Sequence, residues 1–212
     1  KILTHKFPQI RSAYTEKDTM LYGLGVGACT DPLDVGQLGF VYEGNLQALP
    51  SLSCVLAHPG LWVKLPELEM NWLKLVHAEQ RFELFQPLPK AGEVNASHSV
   101  VGVLDKGPEK GALMDFVKTL HSPEGELLGK VTSTYLLRGD GGCGNWGELS
   151  APLDVVPDTE PSGCFTQPTL AISALIYRLS GDYNPLHADP EVAKQAGFDK
   201  PILQGLCTYG VA

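Results

Sequence analysis

The sequence predicts an α+β fold: a helical start, a run of long antiparallel strands, and a second unit that holds helices alone. Three observations carry this reading. Residues 76–84 alternate apolar and polar side chains. Turn-forming residues separate three further extended segments. A glycine-rich break at 139–144 then ends the strand pattern.

Taken in order, residues 14–28 read as a helix. Tyr14, Met20, Leu21, Leu24 and Ala28 fall on one face, and Thr15 is placed to cap it with Asp18 three residues later; Gly23, Gly25 and Gly27 count against it. Phe40–Gly44 reads as a short strand. Residues 49–58 read as a buried helix, with Pro50 in its first turn and Pro59-Gly60 at its end. In the strand 76–84, Val76, Ala78, Phe82 and Leu84 are apolar, whereas His77, Glu79, Arg81 and Glu83 are polar. This alternation assigns His77 to the polar face. A strand over 94–104 reaches the turn Lys106-Gly107-Pro108. Strands over 113–121 and 126–138 flank Ser122-Pro123-Glu124-Gly125, which suits a type I turn.

Residues 139–163, rich in Gly, Pro and Asp, read as a linker. Beyond it, helices are expected over 168–179, over 190–196 (Asp189 as cap, Pro190 at the first position, Gly197 past the end) and over 202–212. The expected organisation is a first unit over 1–145, a linker over 146–164, and the start of a second unit over 165–212. The chain stops at Gly210-Val211-Ala212, inside an apolar segment with no cap or breaker, so the second unit is expected to be incomplete.

The 212 residues carry a net charge of −8, with 43% hydrophobic and 19% charged residues, an ordinary globular balance. An acidic chain without a dense Lys/Arg run argues against nucleic acid and against an anionic membrane surface as partners. Five cysteines (29, 54, 143, 164, 207) lie scattered, without a C-x-x-C pair, which reads as reduced thiols in an intracellular compartment. No apolar run is long enough to span a bilayer. The start at Lys1 lacks both Met and a signal-peptide core, so the chain is expected to begin within a longer one.

The chemistry concentrates in Ser180-Gly181-Asp182-Tyr183-Asn184-Pro185-Leu186-His187. Five positions along an ideal helix rotate by roughly 140°, so Asp182 and His187 cannot share a helical face. Pro185 also keeps Asn184 out of helical angles. A turn running into a helical start lets Asp182, Asn184 and His187 converge. A carboxylate beside an imidazole raises the ring's basicity and fixes its tautomer, and an amide can orient a water between them. Capping of the turn by Asp182 and Asn184 fits the same residues. Downstream, Gly205 opens the last expected helix, where a bare N–H can accept developing negative charge. The Gly23/25/27 run has the wrong spacing for a dinucleotide site, and the 139–144 glycines lack the Lys-Ser/Thr of a phosphate loop.

The segment from Tyr177 to His187, with Ala196-Gly197-Phe198-Asp199-Lys200-Pro201-Ile202-Leu203-Gln204-Gly205-Leu206-Cys207-Thr208, resembles the signature of the R-specific, type 2 enoyl-CoA hydratases. Further likenesses are Tyr22–Ala28, Val41-Tyr42-Glu43-Gly44, Leu75–Gln80, Pro87-Leu88-Pro89 and Val103–Gly107, so the resemblance covers nearly the whole chain. It implies a double hot-dog, each half a curved antiparallel sheet wrapped around a helix, with the first half sheltering the acyl chain. It also implies hydration of trans-2-enoyl-CoA to (3R)-3-hydroxyacyl-CoA in fatty-acid β-oxidation. In that scheme Asp182 and His187 activate water, Asn184 holds it, and the Gly205 amide binds the thioester oxygen.

The resemblance further implies substrate contacts at His77, Ala78 and Lys106, and in the second unit at Tyr183, Pro185 and Leu186. Glu43 is left between a structural and a catalytic role. No metal or redox cofactor is implied, because the thioester is the electron sink. The implied partners are the acyl-CoA substrate and a second copy in a homodimer, in a peroxisomal setting and at times within a multifunctional chain. Two other functions stay open: a non-catalytic acyl-CoA-binding or structural piece, and a hot-dog thioesterase.

Overall fold

The chain changes from strand to helix at Thr15, and a capping box fixes the change. The Thr15 hydroxyl accepts from the Asp18 N–H at 3.3 Å, and the Asp18 carboxylate accepts from the Thr15 N–H at 2.8 Å. The structure, a computed structural model, describes residues 1–212. Strand β1 (Ile10–Tyr14) precedes the box and helix α1 (Glu16–Gly25) follows it. A four-residue helix, α2 (Val35–Leu38), is capped by the Asp34 side chain.

Strands β2 (Leu75–Leu84), β3 (Gly92–Asp105), β4 (Ala112–His121) and β5 (Leu127–Leu137) are the four expected from the sequence. With β1 they form an antiparallel sheet in the order β1-β3-β4-β5-β2, and a short β6 (Trp146–Gly147) pairs with β3. The register sets rows across the inner face: Ala96, Leu120 and Gly129; His98, Lys118 and Val131; Val100, Phe116 and Ser133; Met114, Tyr135 and His77. The place of His77 in the last row corrects the expected alternation. β2 pairs His77 with Tyr135 and Glu79 with Thr134, leaving Ala78 as a bulged residue. One extra residue reverses the parity of the strand. His77, itself exposed at this end of the strand, therefore shares the inner face with the half-buried Gln80, Phe82 and Leu84.

The inner face is crossed by residues 50–57. The helix expected over 49–58 is a 3-10 turn, Pro50–Cys54, continued by turns to Ala57. Buried Leu52, Cys54, Leu56 and Ala57 share a core with Val94, Ala96, Leu120 and Val131 of the sheet. Lys118, on the inner face of β4, donates to the Cys54 and Leu56 carbonyls at 2.9 and 2.7 Å. The Cys54 carbonyl, which a helix reaching residue 58 would use internally, and the Leu56 carbonyl, which such a helix would leave unpaired, both accept from the lysine. The strand expected over Phe40–Gly44 is absent. Its amides bond locally, Phe40 N–H to Gln37 and Val41 N–H to Leu38, and Glu43–Asn45 is a 3-10 turn.

Helices α3 (Ser173–Tyr177), α4 (Pro190–Gln195) and α5 (Gly205–Val211) follow the linker, with no strand after residue 165. α3 starts later than expected because the Ser173 hydroxyl accepts from the Leu170 N–H, and a 3-10 turn continues it over Arg178–Ser180. α5 starts at Gly205 instead of 202, and α4 keeps its expected Asp189 cap. Tyr177 of α3 and Cys207 of α5 are buried in the same core as Tyr22 of α1 and Val26, the residue that caps its C-terminus. The Cys207 thiol donates to the Gly25 carbonyl at 3.3 Å.

The glycines that weaken α1 as a helix have a packing reason. A Cβ on Gly25 would lie 3.3 Å from the Tyr177 Cα, and one on Gly23 would lie 2.6 Å from the Phe40 carbonyl oxygen. The linker is also pinned. Asp105 accepts from the N–H groups of Gly107, Gly142 and Gly144 at 2.7–2.8 Å, which holds its carboxyl below the usual range. On the outer face Asp115 accepts from the Thr134 hydroxyl at 2.6 Å and from the Ser150 N–H at 2.7 Å. No helix is long and apolar enough to cross a membrane.

Two predictions follow from this packing. Ala favours helix over Gly by about 1 kcal/mol, yet overpacking costs about 1–3 kcal/mol. Gly23→Ala should therefore lower the stability measured by urea unfolding. Burial also depresses the pKa of His98 to about 4, so between pH 6.5 and 4 the unfolded chain binds the extra proton. Stability should fall across that window, and His98→Phe should remove about 2 kcal/mol of the fall, allowing for partial screening.

Candidate active site

The segment between α3 and α4 brings together the three residues that the sequence singles out. The chain leaves the 3-10 turn at Gly181, whose φ of +124° suits glycine, and reaches Asp182. The Asp182 carboxylate accepts from the Asn184 N–H at 3.2 Å, and the Asn184 side-chain oxygen accepts from the Leu186 N–H at 3.2 Å. Asn184 thus caps a one-turn 3-10 helix, Pro185–His187, with proline at its first position. The capping expected of Asp182 and Asn184 is real, and it delivers His187 to the site.

His187 is 9% exposed. Its Nδ1 lies 2.8 Å from the Ile202 carbonyl oxygen, which can only accept, so Nδ1 carries the proton and Nε2 keeps its lone pair. Nε2 stands 3.8 Å from Asp182 Oδ2. That is too long for a direct hydrogen bond and short enough for one water to touch both. Two proton acceptors of different type thus face one small volume. The Ile202 contact also ties the approach to α5 to this point, three residues before Gly205. Gln204, the N-cap of α5, makes no side-chain cap and donates its amide to the Ala174 carbonyl instead. The first N–H groups of α5 have no partner within the helix, and a Cβ on Gly205 would meet no heavy atom within 4 Å.

The first unit contributes His77. Desolvation lowers its pKa, and the Asp182 carboxylate, near enough to act on it, pulls the other way. Its ring lies 5.2 Å from that of Tyr135, and its Nε2 lies 3.1 Å from the Glu79 carbonyl. Ala78 is the exposed bulge beside it. Lys106 is exposed in the β3–β4 turn, at the end of the sheet where Leu75 and Leu137 pair. Tyr183 and Pro185 are exposed and Leu186 is half-buried. The structure does not join Glu43 to this group; it is exposed on its 3-10 turn, without an ion pair or a side-chain hydrogen bond.

Several site residues escape the sequence pattern. Arg178 stacks on the Tyr183 ring at 5.1 Å, and the buried Tyr177 hydroxyl has no partner and feels the Asp182 charge. Ile202 acts through a backbone carbonyl, which no sequence motif reveals. Leu179, Ser180 and Gly181 line one end of a cavity of about 340 Å³ whose walls include Leu21, Leu52 and His58. No group of three His, Cys, Asp or Glu side chains gathers at metal-ligand distances.

Residues 12–139 match the MFE-2 hydratase 2 N-terminal domain, and residues 153–212 match the MaoC like domain. The chain belongs to the MFE-2 hydratase 2 family. Enoyl-CoA hydratase 2, peroxisomal, of Arabidopsis thaliana is 38% identical over 100% of this chain and 73% of its own length. Peroxisomal multifunctional enzyme type 2 of Mus musculus is 38% identical over 97% of this chain but only 28% of its own length. A MaoC-like dehydratase from Phytophthora capsici, solved by crystallography, superposes with a TM-score of 0.85 at 32% identity, covering 100% of this chain and 74% of that one. The family membership gives the sheet and helices their description as a MaoC-like hot-dog fold.

The cap and the site share Asn184, and stability separates the two roles. Asn184→Ala removes the acceptor for the Leu186 N–H and should cost about 1 kcal/mol in chemical denaturation. Asn184→Asp keeps that acceptor and should stay within about 0.5 kcal/mol of the parent.

Proposed function

We propose that the protein hydrates trans-2-enoyl-CoA thioesters to (3R)-3-hydroxyacyl-CoA, as an enoyl-CoA hydratase 2 of fatty-acid β-oxidation. The observation that carries this is the 3.8 Å separation of His187 Nε2 and Asp182 Oδ2, with the proton held on Nδ1 by Ile202. A water placed between them loses its proton to the pair as its oxygen bonds to C3. The C2–C3 π electrons move toward the thioester carbonyl, whose oxygen gains enolate character. The Gly205 N–H, at the positive end of α5, stabilises that oxygen. The protonated pair then returns the proton to C2, so one H and one OH have been added. Asn184, held by its own cap, orients the water. The thioester supplies the electron sink, so the step calls for no metal or redox cofactor.

The first unit, 1–145, is assigned to shelter the acyl chain. His77 and Ala78 line its approach to Asp182, and Lys106 meets the CoA phosphates. Tyr183, Pro185 and Leu186 flank the thioester. Glu43, isolated on its turn, is assigned a structural role. Beyond the connector 146–164, residues 165–212 hold helices without a strand, as the helical part of a second hot-dog would, which supports a duplicated architecture. A homodimer and a peroxisomal setting, alone or within a multifunctional chain, complete the reading; the relatives named as peroxisomal support the setting.

Hydration of crotonyl-CoA removes the absorbance of the conjugated thioester, whereas hydrolysis frees a thiol. The expected result is the first change without the second. Asp182→Ala and His187→Ala should each abolish it, and Asn184→Asp should slow it by about a hundredfold while leaving the fold intact. Released thiol would make the protein a thioesterase, and hydration surviving in both alanine variants would remove the assigned roles.

A further inference from the structure

The inner face of the sheet carries a polar group that the hydration step does not use. The cavity of about 340 Å³ runs from Gly181, next to Asp182, to Ala57 and His58. His58 also borders a second chamber of about 20 Å³, lined by Cys54, His98, Phe116, Lys118, Ser133 and Tyr135. That volume admits about one water-sized atom. His98 is 7% exposed and stacks on Phe116 at 5.6 Å; the Ala57 backbone lies near enough to act on the ring, but neither ring nitrogen meets a partner at hydrogen-bonding geometry. Lys118 is 4% exposed; two of its protons go to the Cys54 and Leu56 carbonyls, and it belongs to no ion pair. His58 accepts from the Gly60 N–H at Nδ1, so a neutral ring carries its proton on Nε2.

Resting on the hydratase reading, we propose that this chamber receives the far end of the acyl chain and selects chains ending in a carboxylate over plain hydrocarbon chains of equal length. A terminal methyl would give the His98 ring no better partner than the Ala57 backbone and leave the Lys118 ammonium without a counter-charge. A carboxylate oxygen in the chamber takes the third Lys118 proton and a His98 N–H, both charge-assisted bonds. The chamber holds one oxygen, and the other stays on the cavity side, facing His58. Burial pushes the Lys118 pKa down to about 8, which still leaves the cation dominant at neutral pH.

The test is a series of trans-2-enoyl-CoA substrates of increasing length, each with a terminal methyl or a terminal carboxylate. The readout is the ratio of kcat/KM, carboxylate to methyl, within one protein. In the parent protein the ratio should rise to about tenfold or more at one chain length, the order set by a charge-assisted hydrogen bond. In Lys118→Met and in His98→Phe it should stay near unity at every length. A ratio near unity throughout in the parent would show that the chamber takes solvent only, and a ratio that survives in both variants would place the selection elsewhere. Either result overturns the proposal. Each ratio is internal to one protein, so a partly folded sample does not bias it. Should Lys118→Met fail to fold, His98→Phe, which keeps a ring stacked on Phe116, decides the matter. Failure of the hydratase reading looks different, with no hydration of any thioester, crotonyl-CoA included.

Discussion

The close backbone contact between α1 and α3 is the constraint on which the active site depends. Gly25 lets the Tyr177 backbone come down onto α1, with a Cβ position only 3.3 Å from the Tyr177 Cα. Tyr22 and Tyr177, with ring centroids 6.0 Å apart, fill the space beside it. Tyr177 is followed within five residues by Asp182, so the height of α3 above α1 sets where the carboxylate stands relative to the sheet. A larger residue at position 25 would separate two halves that the chemistry needs together.

Within Asp182–His187, the capping of the turn and the proposed chemistry use the same atoms. The Asn184 oxygen that caps the Pro185–His187 turn sets the pitch on which the imidazole is presented, and the Asp182 carboxylate secures the Asn184 amide. The Ile202 carbonyl then decides which ring nitrogen can act as a base. The capping role and the proposed water-activating role are therefore compatible. The loop is a rigid mount because its polar groups bond to one another before any substrate arrives.

The legible parts of the sequence were those governed by local rules. The Thr15–Asp18 box, the four long strands and the Asp189-Pro190 start of α4 depend on neighbours close in sequence, and all appear where those rules place them. The convergence of Asp182, Asn184 and His187 was legible because a proline and an asparagine force the turn that gathers them. The illegible parts depend on distant partners. A single bulged residue, Ala78, reversed the face of His77, and alternation gives no notice of a bulge. The 3-10 form of residues 50–54 reflects carbonyls nearby that Lys118 holds from a strand more than sixty residues away. Lys118 itself left a trace: it breaks the apolar series Met114, Phe116, Leu120 on the inner face of β4, which marks a buried charge with a partner to find. β1, at five residues, is too short for its alternation to stand out.

Cys207 shows what the seam between α1 and α5 means for redox chemistry. Its sulfur is fully buried against the Gly25 carbonyl, and burial pushes the thiol up to about 11. Almost none of it exists as thiolate at neutral pH, so peroxides and alkylating reagents have no nucleophile to meet while the helices stay in contact. Its reactivity becomes a clock for the lifting of α5: each modified sulfur records one excursion in which that helix came away from α1.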